Sequence, residues 1–130
     1  MYTIITVVLG MISLILLDVV WVQGIALSVY KNMFPLTASF NIGPALLVYF
    51  ILAVAIRYFV VGADRGRVRA GGVLGRGLLL GLVTYGVYNL TNLATLAAWT
   101  GVFSLIDIVW GSIAVMLASL FVFLVLPFFE

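Results

Sequence analysis

Two carboxylates are embedded in long apolar runs, and they share a local pattern. Asp18 sits in Leu17-Asp18-Val19-Val20-Trp21 and Asp107 in Ile106-Asp107-Ile108-Val109-Trp110. Each is Asp-x-x-Trp, a spacing that puts acid and indole on the same face of a helix. A carboxylate accepts hydrogen bonds, protons or cations, whereas an indole N–H only donates. The indole can therefore serve its own carboxylate or one on a neighbouring helix. No Lys or Arg lies inside these runs to pair with the acids. Protonation, shared hydrogen bonds or a bound cation must neutralise them.

A third run supplies complementary groups. Tyr85, Tyr88, Asn89, Asn92 and Trp99 fall on one helical face, preceded on that face by Gly81. Thr91 and Thr95 flank the stripe and can bond their own backbone carbonyls. Beyond Asp107, the residues Gly111, Ala114 and Ala118 continue its face as a small-residue seam of the kind that lets helices pack closely. The candidate ligand-binding set is therefore Asp18, Trp21, Tyr85, Tyr88, Asn89, Asn92, Asp107 and Trp110. Gln23 points elsewhere on its helix. A purely structural role competes with this reading: Asn, Thr and Tyr in membrane helices serve as hydrogen-bond glue, at about 0.6 kcal/mol each. Trp99, Tyr2, Tyr30 and Tyr58 are expected in interfacial belts. Glue does not need an ionisable group, which favours a functional site at the two aspartates.

The chain has no Cys and no His. That removes thiol chemistry, imidazole bases and the usual zinc and copper ligands, so no metal, no cofactor and no catalytic residue is expected. Ser104 and Ser112 sit in no recognisable catalytic motif, and no nucleophile is paired with a base.

The elements that carry these residues follow from composition. Of 130 residues, 66% are hydrophobic and 8% charged, against about a quarter charged in soluble domains. A bilayer span takes roughly 20 apolar residues, so the chain has room for four spans and little else. The expected architecture is all-α, a single integral-membrane domain over 1–130 forming an antiparallel four-helix bundle. Helices are expected at about 2–29, 43–61, 78–99 and 102–126, with Asn41 capping the second and Pro44 in its first turn. Asp64, Arg65, Arg67, Arg69 and Arg76 lie among glycines in 62–77, which reads as a solvated loop.

Arg57 and the four loop arginines are five of the six basic residues. By the positive-inside rule this connection and both termini are expected in the cytoplasm. The arginines should also draw the loop to anionic lipid. Nucleic acid is not an expected partner, because the arginines are few and lack interleaved aromatics. The first run has no basic leader, is too long and is interrupted by Asp18, so it reads as a retained helix and not a signal peptide.

A carboxylate at the bilayer centre costs about 2.5 to 3.5 kcal/mol, so both aspartates should face protein or water. At about 1.5 Å per residue, Asp18, Asn89, Asn92 and Asp107 all fall near the midplane or in the outer half. Three helices can thus bring their polar groups to one pocket.

Across Tyr85-Gly-Val-Tyr88-Asn-Leu-Thr-Asn92-Leu-Ala-Thr-Leu96, Trp99 and Asp107-Ile-Val-Trp110-Gly111, the sequence resembles domain-of-unknown-function family 2177, bacterial predicted membrane proteins. The resemblance extends to Asp18-x-x-Trp21 and to Ala-Leu-Leu-Val-Tyr49, and so to essentially the whole chain. It implies a bacterial inner-membrane protein of four helices and adds no activity. Where the family usually has Asp after the second tyrosine, this chain has Asn89, so an acid there is not essential to this member, which weakens any proton relay routed through that position. Two functions are in view, with an enzyme that uses Asp18, Asp107 and the tyrosines for acid–base work as a weaker third. One is a pocket for a small amphipathic molecule or lipid; the other is an accessory or assembly subunit of a larger respiratory or photosynthetic membrane complex, docked through the small-residue seam. Membrane lipids are the expected partners, with a homo-oligomer or larger complex as further candidates.

Overall fold

The computed structural model describes residues 1–33, 41–62 and 69–129. They form four helical segments long and apolar enough to cross a bilayer, and no strand occurs among them. Span one is α1 (Tyr2–Trp21), a π-helical turn (Val22–Ala26) and α2 (Leu27–Met33). Thr6 and Ser13 donate to the carbonyls of Tyr2 and Leu9 at 2.9 and 2.7 Å. Neither hydroxyl is therefore left unsatisfied inside a bilayer.

Span two is α3 (Ile42–Ala55) followed by a π-helical segment, Ile56–Val61. Asn41 caps it as expected, accepting from the Gly43 N–H at 3.2 Å. At its other end Arg57 stacks on the rings of Tyr2 and Tyr58, 5.4 and 5.7 Å from their centroids.

Span three, α4 (Ala70–Thr95), departs from expectation at both ends. It begins at Ala70 and not near 78, so much of the glycine-rich stretch is helix. The reason is packing: Val73 is fully buried in the core against span two, and further along a Cβ on Gly77 would lie 2.9 Å from Met116 Cα and one on Gly81 2.6 Å from Ser112 Cα. These glycines set how closely spans three and four approach, and a helix held by a neighbour outweighs glycine's poor propensity. Asp64, Arg65 and Arg67 lie outside the described residues. The helix stops at Thr95 and not at Trp99 because Thr100 caps the next one, its hydroxyl accepting from Phe103 N–H at 3.2 Å. Trp99 leaves the helix and is buried, packed on Tyr30, Tyr88 and Phe103, with its indole N–H donating to Ser104 at 3.0 Å. It is packed into the aromatic cluster at one end of the bundle.

Span four is α5 (Gly101–Val125), ending in a 3-10 turn, Leu126–Phe129. Gly111, Ala114 and Ala118 are buried along it, and a Cβ on Gly111 would collide with the Tyr85 ring. The small-residue seam is thus buried inside the chain, with Gly111 under Tyr85 of span three.

Spans three and four share the most extensive interface, and α1 packs on α3 and α5. Span three meets span two mainly at Ile56–Val61 and not to a comparable extent along α3, so these two helices diverge. One buried cluster, including Leu14, Ile56, Val73, Val115 and Leu126, fills the end where they converge. An aromatic cluster of Trp21, Trp99 and Phe103 with Ala26 fills the other. The polar groups lie between the two.

Candidate functional site

The two Asp-x-x-Trp elements interlock. Trp21 and Trp110 stack with ring centroids 5.3 Å apart and planes within 8°. Spans one and four run in opposite directions, and three residues rise about 4.5 Å, so the acid of each helix stands level with the indole of the other. Trp110 accordingly neighbours Asp18, and Trp21 neighbours Asp107. Each indole thus faces the acid of the opposite helix, the second of the two options that its spacing allowed.

Asp107 is the more enclosed acid, only 4% exposed. The Asn89 amide donates to its Oδ2 at 2.6 Å and to the Tyr85 carbonyl at 3.0 Å. Both amide hydrogens of Asn89 are then engaged, while its Oδ1 is buried without a partner. The Trp110 N–H is likewise buried and closes no hydrogen bond, although it lies beside Asp18. One unfilled acceptor and one unfilled donor therefore remain in this layer.

Asp18 is partly exposed and stands at the edge of the layer. The Tyr85 hydroxyl donates to its Oδ1 across a long 3.5 Å, and Tyr49 of span two shares the carboxylate. Among the described residues, no cation acts on either acid. Beside Asp18 a cavity of about 410 Å³ opens where spans two and three diverge. Span two contributes Ala45, Val48, Tyr49, Ile51 and Leu52; span three contributes Thr84, Tyr85 and Tyr88; Asp18 closes its base.

The structure thus divides the candidate residues. Asp18, Tyr85 and Tyr88 line the cavity, while Trp21, Asn89, Asp107 and Trp110 form a closed layer behind it. Asn92 lies one turn beyond Asn89, partly exposed, and joins neither. Sequence reasoning missed span two altogether. Its one available signal was Tyr49, a phenol in the middle of an otherwise apolar helix, whose hydroxyl needs a partner there.

A family model described as a predicted membrane protein of unknown function, family 2177, matches residues 3–124. No curated protein and no solved structure matches the chain.

Proposed function

Because the chain belongs to domain-of-unknown-function family 2177, a membership that fixes a membrane setting and no chemistry, we propose that it binds a small amphipathic molecule or lipid in the cleft between spans two and three. The observation that carries this reading is a cavity with apolar walls and one carboxyl group at its base, open at bilayer depth. Pockets of roughly 300 to 1,000 Å³ with a few convergent polar groups are those that hold small ligands. The buried Asn89–Asp107 pair and the stacked tryptophans serve as the rigid back wall that positions Asp18.

The proposed setting is a bacterial inner membrane with both termini in the cytoplasm. Arg57 supports this orientation, since it stacks on Tyr2 and so puts the start of span one at the arginine-bearing end. Docking into a larger complex through Gly111, Ala114 and Ala118 has less to recommend it, because all three are already buried within the chain.

Native mass spectrometry of protein released from a mild detergent tests the reading. An amphiphile should remain on the unmodified chain and be lost from Val48→Trp, which fills the cleft. Equal retention by the two proteins overturns it.

A further inference from the structure

The polar groups at the base of the cleft also constrain what its occupant carries. The hydroxyls beside Asp18 are already turned to its carboxyl group or to the backbone. Tyr85 donates to Asp18, Tyr49 shares that carboxylate, and Thr84 donates to the Leu80 carbonyl at 2.8 Å. What is left toward the cavity is acceptor capacity, namely carboxylate and phenol lone pairs. We infer that the ligand is a single-chain amphiphile whose small head donates hydrogen bonds, a primary ammonium or a hydroxyl, to Asp18. This inference rests on the cleft being the binding site.

Depth excludes ordinary phospholipid heads. Asp18 lies about 24 Å along the helix from Tyr2 and about 21 Å from Asn32, so it is near the middle of span one. Phosphates stay at the edges of a hydrocarbon core about 30 Å thick. A chain lying against Val48, Ile51 and Leu52 brings a terminal head to Asp18 only if that head is small enough to leave the interface. A fatty acid of the same length fits the walls but sets carboxylate against carboxylate, with no Lys or Arg acting on Asp18 to separate them. An ammonium supplies the counter-charge that the Asp18 carboxylate otherwise lacks, and a hydroxyl can donate to a carboxyl oxygen.

Three photoreactive probes test this on the protein in lipid nanodiscs: dodecylamine, dodecanol and dodecanoic acid, each with a diazirine near the chain end. Labelled positions are mapped by mass spectrometry. The amine and the alcohol should label the span two and span three walls saturably, about tenfold more efficiently than the acid. Unlabelled dodecylamine should compete. Asp18→Asn should lower amine labelling to the level of the acid and leave alcohol labelling in place. Equal labelling of the cleft by all three probes overturns the head assignment and leaves the cleft intact. Absence of saturable labelling by any probe overturns the cleft itself. The comparison of heads on the unmodified protein does not depend on the variant folding.

Discussion

Trp21 and Trp110 lie face to face, 5.3 Å between centroids and within 8° of parallel, although 89 positions separate them in the chain. The stack is the hinge on which the polar layer is built. It fixes the register of spans one and four, and that register is what exchanges indoles between the two aspartates. Aromatic pairs of this kind contribute about 0.5 to 1.5 kcal/mol beyond the area they bury.

A double-mutant cycle measures that contribution. Trp21→Leu and Trp110→Leu should each destabilise the protein in detergent unfolding, and the pair together should cost less than their sum by about 0.5 to 1.5 kcal/mol. Strict additivity would mean that the stack contributes no coupling.

Asn89 should matter through Asp107. Asn89→Leu preserves bulk but leaves a buried carboxyl without its 2.6 Å donor, at an expected cost of about 1 to 3 kcal/mol. Adding Asp107→Leu removes the stranded group, so the double variant should recover part of the loss. A double variant as unstable as the sum of the singles counts against the pairing.

Glycine positions should separate into two kinds. Gly81→Ala puts a Cβ 2.6 Å from Ser112 Cα and should force spans three and four apart, lowering stability by about 1 to 3 kcal/mol. Gly75→Ala meets nothing within 4 Å and should be neutral or stabilising by up to about 1 kcal/mol. Equal effects in thermal unfolding would remove the packing explanation for the glycines of span three.

Because the chain contains no cysteine, single cysteines report orientation directly. Thr100→Cys should react with a membrane-impermeant maleimide added to intact cells. Arg69→Cys should react only once the cytoplasmic face is opened. The reverse pattern inverts the proposed topology.

Much of this protein was legible in its sequence, for physical reasons. Apolar runs of span length and few charges dictate membrane helices, because no other arrangement satisfies the backbone in hydrocarbon with so few residues. Asn41 and Pro44 mark the start of span two locally, through a cap and a first-turn ring, and the structure starts α3 at Ile42. The two Asp-x-x-Trp elements were visible because ionisable groups are costly in apolar runs. Loop and helix could not be told apart in the glycine-rich stretch. Glycine reads locally as flexibility, and only tertiary packing shows that Gly77 serves contact, a Cβ there falling 2.9 Å from Met116 Cα, and that Val73 enters the core.

What sequence alone determined is therefore the solvent of this protein and the short list of groups that cannot face it. Which of these groups meet was decided by tertiary structure. Antiparallel packing of spans one and four pairs each indole with the acid of the opposite helix, and the close approach of spans three and four turns Asn89 onto Asp107. Divergence of spans two and three opens a cavity beside Asp18 and brings in Tyr49. Helical periodicity fixes the face on which a residue lies. It carries no information on which neighbour covers that face, because crossing angles and interhelical distances depend on side chains from two segments at once.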